Sequence, residues 1–145
     1  MDGDLSQEQY RDLAEFRHQI RSFLYFSEAT AKEHGIEPQQ HQLLLAVRGL
    51  PKEVRPTIRE LASRLCIQHH SAVELVNRLE HTGAITRKPG EEDRREVLIE
   101  LTPAGRATLR KLAEAHREEL GRSGPRLAQA LQSVLRHSKR AIASE

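Results

Sequence analysis

The stretch EEDRREVLIELTPAG, Glu91 to Gly105, decides how this chain is read. Six charged residues of both signs, Glu91 to Glu96, come first. Val97, Ile99 and Leu101 then alternate with Leu98 and Glu100, the period-two pattern of a strand. Thr102 is suited to cap a helix and Pro103 to occupy its first position, so a helix begins where the strand ends. Upstream, Ala84 to Lys88 reads as the partner strand and Pro89-Gly90 as a turn. The whole is a hairpin with Arg94 and Arg95 at its mouth.

Working outward, Thr57-Ile-Arg-Glu60 is a capping box, in which the threonine accepts from the backbone and Glu60 reaches back. The helix it opens buries Ile58, Leu61, Ala62 and Leu65. After a break at Cys66 to Gln68, apolar positions resume at Ala72, Val73, Leu75, Val76 and Leu79 and end at His81-Thr82-Gly83. Two short helices joined by a tight turn form a helix-turn-helix. Ahead of it, Ser6 and Gln9 make a second capping box. Leu13, Phe16, Ile20 and Phe23 then recur at three- and four-residue spacing, and Gly35 suits the helix end. Pro38 begins a further helix whose core face is Leu43, Leu44, Leu45 and Val47, and Gly49, Pro51 and Pro56 break the chain after it. Behind the hairpin, Leu109, Leu112 and Leu120 mark a helix interrupted at Gly121 and Gly124-Pro125. A last helix carries Leu127, Leu131, Val134, Leu135 and Ile142.

The fold class is therefore mainly α (α+β): a winged helix-turn-helix with long N- and C-terminal helices and a two-stranded wing. Residues 1–145 make a single domain. Residues 5–36 and 102–143 are its dimerisation helices and 37–101 the DNA-binding lobe. Within the lobe, 57–66 is the first helix of the pair, 68–82 the recognition helix and 84–101 the wing.

Composition bounds the function. At 145 residues with 30% charged and 3% aromatic side chains, the chain suits a soluble helical protein. No apolar run approaches the ~18 residues of a membrane span. The acidic, polar MDGDLSQEQYRD is unlike a secretory signal, and one cysteine makes no internal disulfide, so a cytoplasmic protein is expected. The net charge of +2 is small, but Arg55 to Arg95 holds 8 Lys and Arg against 6 Asp and Glu, which leaves 15 of each elsewhere. The excess sits on the helix-turn-helix and wing, where a polyanion would bind.

A B-DNA major groove, ~12 Å wide, admits one helix, and the second helix of a helix-turn-helix turns its N-terminal side chains to the base edges. Here those are Gln68, His69, His70, Ser71 and Glu74, with Asn77 and Arg78 placed for the DNA backbone. Arg94 and Arg95 suit a narrow minor groove, whose negative potential attracts arginine. Asp93 either holds an arginine or caps the turn. Glu74 either accepts from a cytosine or pairs with Arg78 four residues on. Cys66 reads as a packed thiol, the scattered histidines form no zinc pattern, no catalytic constellation is visible and no cofactor is indicated.

The segment RELASRLCIQHHSAVELVNRLEHTGAITRKPGEEDRREVLIELTPAG resembles the core of the MarR family of winged helix-turn-helix regulators. The family's Asp-x-Arg wing and Leu-Thr-x-x-Gly are matched by Asp93-Arg94-Arg95 and Leu101-Thr102-Pro103-Ala104-Gly105. Its Glu-Leu-Ala and Leu-x-x-Arg-Leu-Glu patterns are matched by Glu60-Leu61-Ala62 and Val76-Asn77-Arg78-Leu79-Glu80. Gln68 departs from the family's usual Ser or Thr cap. The resemblance implies a homodimeric repressor that binds palindromic double-stranded DNA through interlocked terminal helices. It also implies a small-molecule effector between those helices and the lobe, near Tyr25, Phe26, His41 and Leu45. The alternative is a protein-interaction module that kept the fold and lost DNA.

Overall fold

The computed structural model describes the backbone of residues 3–143 and the side chains of residues 3–138. Five helices and one hairpin follow in the order α1 (Gln7–Glu33), α2 (Pro38–Arg48), α3 (Ile58–Leu65), α4 (His69–His81), β1 (Ile85–Pro89), β2 (Val97–Leu101) and α5 (Pro103–Ala143). They divide into two compact units, one formed by residues up to Ala29 with those from Ala115, the other by Thr30–Glu114. Among the described residues no helix is long and apolar enough to cross a membrane.

The Thr30–Glu114 unit holds the winged helix. Its core is Leu43, Leu44, Leu61, Leu75, Val76, Leu79, Ile85, Ile99, Leu101 and Leu109, drawn from five helices and strands of the lobe and the first turns of α5. Each leucine taken fully out of water contributes roughly 1.5–3 kcal/mol. Leu45, expected on the core face of α2, is instead 49% exposed. It follows two buried leucines, and a hundred-degree step per residue carries the third past the edge of the stripe.

Local chemistry sets the helix ends. Gly35 takes φ +73° beyond α1, a conformation that costs glycine nothing. The Thr57 hydroxyl accepts from the Glu60 amide at 3.2 Å. Glu60 does not reach back: its carboxylate takes Arg64 at 3.0 Å, while the Thr57 amide donates to the Arg55 carbonyl. That diversion has a purpose, because Thr57 bridges Leu98 and the Ile99 amide donates to the Pro56 carbonyl at 2.9 Å. The segment before α3 is thereby stitched to the outer edge of β2, whose inner edge pairs antiparallel with β1 in the register Ile85↔Leu101 and Arg87↔Ile99.

The turn between α3 and α4 corrects one expectation. Cys66 is exposed, not packed, because it adopts the left-handed conformation (φ 56°, ψ 42°) that ends α3 and points its side chain outward. A second correction concerns α5, which runs without a break through Gly121 and Gly124-Pro125. Proline disfavours a helical residue before it by crowding that residue's Cβ, and Gly124 has none. Ile142 lies outside the residues whose side chains are described.

The other unit is built from the rest of α1 and α5. The reciprocal Ser6–Gln9 box is present, with amide contacts of 3.2 and 2.8 Å. The His116 ring stands edge-on to Phe23 and Phe26, at centroid distances of 6.0 and 5.5 Å, with Nε2 2.8 Å from the Ser27 hydroxyl. Further along, His137 Nδ1 lies 2.6 Å from the Asp12 carboxylate. Leu13, Leu24, Tyr25, Leu131 and Leu135 of this unit are exposed.

Two glycines give opposite expectations. A Cβ on Gly105 would stand 2.0 Å from the Ala84 carbonyl oxygen, so Gly105→Ala should lower stability by ~1–3 kcal/mol, the usual cost of forced overpacking. At Gly121 a Cβ meets nothing within 4 Å, and Gly121→Ala should stabilise by ~0.5–1 kcal/mol through helix propensity. Thermal and urea unfolding of the two variants beside the parent chain measure both.

Candidate nucleic-acid interface

Helix α4 presents its residues by a simple partition. Ala72, Leu75, Val76 and Leu79 are buried, which leaves His69, His70, Glu74, Asn77 and Arg78 outside the core and Ser71 half-buried at the first turn. Gln68 is the N-cap residue in extended conformation and makes no side-chain cap bond, as its departure from Ser or Thr suggested. Its amide group is therefore not consumed by the helix end. The site candidates on this helix and its cap thus lie along one outward edge, and a polar edge on a helix whose back is fixed in the core is what groove insertion requires.

Two of these residues are already engaged. Arg78 does not pair with Glu74; its guanidinium lies 3.4 Å from the Glu37 carboxylate just ahead of α2. Asn77 accepts from Arg87 of β1, which also reaches the Glu80 carboxylate at 3.3 Å. Glu37 and Arg87 escaped the sequence reading. A signal for Arg87 existed, since strand alternation puts it on the same face as Ile85, where an arginine needs a polar partner.

The wing tip is a seven-residue excursion from Gly90 to Glu96, closed by the Gly90 amide on the Glu96 carbonyl at 3.0 Å. Strand pairing continues through Pro89, so the reversal comes later than the expected Pro89-Gly90 turn. It is a β-turn from Asp93 to Glu96, with the Glu96 amide donating to the Asp93 carbonyl at 3.1 Å. Arg94 and Arg95 are its two central residues. Asp93 performs both roles left open for it: its Oδ1 accepts from the Arg95 amide at 3.0 Å, and its carboxylate takes the guanidinium through Nε at 3.1 Å and Nη2 at 3.2 Å. Aspartate at the first position of such a turn closes it through its own side chain. Gly90 admits no side chain here, because a Cβ would stand 2.5 Å from the Asp93 carbonyl oxygen.

The base of the tip is held from the side. Arg55 binds Glu96 at 2.7 Å and Lys88 binds Glu100 at 2.5 Å, so two acidic residues near the wing are neutralised within the lobe. The Arg95 side chain is 92% exposed even while paired, and Arg94 has no ion pair among the described residues. Two guanidinium groups therefore stand exposed at the tip, beside the exposed carboxylates of Glu91 and Glu92, which trim its positive charge. The effector candidates do not all share one environment: Tyr25 is 77% exposed and Leu45 exposed, His41 is buried, and Phe26 packs on His116.

The chain is similar to known proteins in sequence and fold. Residues 34–96 match the MarR family model. HTH-type transcriptional regulator PecS of Dickeya dadantii is 35% identical over 71 residues, covering 49% of this chain and 42% of PecS. Across the curated relatives the matched stretch spans 42% to 68% of the relative's own length. Among solved structures, the chain is similar to CouR from Rhodococcus jostii RHA1 bound to p-coumaroyl-CoA, with TM-score 0.72, 21% identity and 95% and 96% of the two chains covered. It is likewise similar to a mutant MarR from E. coli complexed with operator DNA, with TM-score 0.65, 20% identity and 94% and 99% covered. The fold is that of MarR-family winged-helix structures.

The Asp93 carboxyl is held below its ordinary value of 3.8, first by the Arg95 side chain, then by the Arg95 amide and the nearby charge of Arg55. For a depressed carboxylate the pairing is complete above the ordinary value and is lost as pH falls through the lowered one. Arg95→Ala should therefore move the Asp93 midpoint upward, toward 3.8, in a carboxyl-carbon NMR titration, while Arg94→Ala leaves it nearly in place.

Proposed function

We propose that this MarR-type chain is a cytoplasmic, sequence-specific transcriptional regulator that binds double-stranded DNA as a homodimer and represses from a palindromic site. The observation that carries this reading is the arginine pair at the centre of the Asp93 turn, on the same lobe as the polar outward edge of α4. An Asp-held guanidinium reaches a minor groove already oriented, so less side-chain entropy is lost on contact. Gln68, His69, His70, Ser71 and Glu74 would then read base edges in the major groove, with Asn77 and Arg78 on the DNA backbone and Arg94 beside Arg95 at the minor groove. The solved MarR complex with operator DNA supports this assignment by analogy of fold.

A second copy is the natural cover for the exposed Leu13, Leu24, Tyr25, Leu131 and Leu135, since a soluble monomer seldom leaves a patch of that kind in water. A two-fold pair would set two recognition helices on successive major grooves. Release by a small molecule completes the reading, supported by analogy with the ligand-bound CouR structure.

Affinity for upstream DNA of the chain's own gene, measured against salt, should fall steeply, because each neutralised phosphate releases counterions. A flat dependence, or retention of a protein partner and no DNA, defeats the proposal in favour of an interaction module. Arg95→Ala should cost ~1–3 kcal/mol of binding, several-fold to over a hundredfold. Leu135→Glu should shift sedimentation toward monomer and reduce DNA affinity with it.

A further inference from the structure

The sequence places Asn77 on the DNA-facing edge of α4, yet its side chain is not free to choose its polarity. Arg87, in the middle of β1, donates through Nη2 to the Asn77 Oδ1 and through Nε to the Glu80 carboxylate one turn further along α4. A guanidinium has five N–H donors and no acceptor, so only the amide oxygen of Asn77 can face it. Turning the amide over would set donor against donor. Glu80, 3.3 Å from Nε, holds the guanidinium in place, and the Arg87 side chain is 33% exposed, its residue paired in register with Ile99.

We infer that Arg87 is a positioning residue that makes Asn77 a donor-only contact, its Nδ2 hydrogens turned outward to an acceptor on DNA. The inference rests on the regulator reading and refines it, moving Asn77 from the DNA backbone to a base edge. Asparagine ordinarily reads adenine with both amide atoms at once, accepting from N6 and donating to N7. Oδ1 keeps a second lone pair, but it is turned toward Arg87 while Nδ2 is turned away, so the two amide atoms do not face one base edge together and that bidentate pairing is disfavoured. What remains is donation to a lone base-edge acceptor, the O6 or N7 of guanine or the O4 of thymine. Arg87 itself touches no DNA in this scheme; it acts through the amide.

Selection of bound sequences from random DNA, with salt-dependent affinity alongside, tests this. Arg87→Met should change the selected pattern, admitting adenine opposite Asn77, while the salt slope stays that of the parent. The same substitution in an Asn77→Ala background should change nothing further, since the group it acts through is gone. Arg87→Lys, which keeps a donor, should retain the parent pattern. A pattern unchanged by Arg87→Met, or changed equally in both backgrounds, overturns the inference. So does a salt slope lower by about one, which would place Arg87 on a phosphate. Asn77→Asp serves if Arg87→Met unfolds: it should match or exceed the parent in thermal stability while binding DNA roughly tenfold more weakly, and undiminished binding overturns the inference. Parent protein that selects no DNA defeats the regulator reading and the inference together; parent selection with Arg87→Met indifferent defeats the inference alone.

Discussion

The Ala84 carbonyl oxygen occupies the place where a side chain at position 105 would begin, 2.0 Å from the site of a Cβ. The lobe depends on this backbone-to-backbone approach. Three separate elements end or begin here: the turn that leaves α4, the start of β1 and the first turn of α5. Thr102 bonds all of them, its amide donating to Ala84, its hydroxyl donating to the Gly83 carbonyl at 2.5 Å and accepting from the Gly105 amide at 3.1 Å. One hydroxyl caps a helix and closes the hairpin's far end at once. Since the Ala84 amide itself bonds Leu79 at 3.0 Å, the exit of α4 and the root of the wing move as one piece. The outward edge of α4 and the wing are thereby tied to one backbone junction.

At the opposite end of the hairpin the same economy recurs with charge. A six-residue acidic and basic run would as a free loop sample many shapes, and ordering each residue costs ~1–2 kcal/mol of backbone entropy. Asp93 supplies the compensating bonds locally, closing the turn and seizing Arg95 with one carboxylate. Arg55 supplies them from a distance through Glu96, on the strip that pairs with the outside of β2. The two arginines of the tip are thus presented by a frame that includes two of its own acidic neighbours, Asp93 and Glu96. Exposed ion pairs of this kind add little to global stability, so their value here is orientation.

Much of this architecture was legible in the chain, and the reason is that it is encoded locally. Thr57, Thr102-Pro103, Gly35 and the alternation from Val97 to Leu101 each announce an element through its own few residues. Glu60 was misread because the capping rule says nothing about competitors, and its carboxylate takes Arg64 four residues on instead of its own cap. Of the two readings open for Glu74, the pair with Arg78 does not form, because Arg78 finds Glu37. Leu45 and Cys66 were misread for a geometric reason. Leu45 follows a buried leucine and Cys66 lies between two partly buried residues, but the direction of a side chain is decided by helix phase at one and by a left-handed turn at the other. Of the interface, the outward edge of α4 and the Asp93 turn were readable; the Arg87 contact was not, since strand-to-helix proximity is a property of the packed core. Gly124-Pro125 looked like a break because the usual penalty assumes a Cβ that glycine lacks.

Cys66 closes the turn into α4 with its thiol in solvent, and it is the single cysteine of the chain. A maleimide dye or nitroxide would therefore attach at one position without any substitution, two residues before the cap of the helix assigned to the groove. Such a reporter would sense the arrival of a duplex directly from the protein side, which turns a backbone oddity into an optical handle.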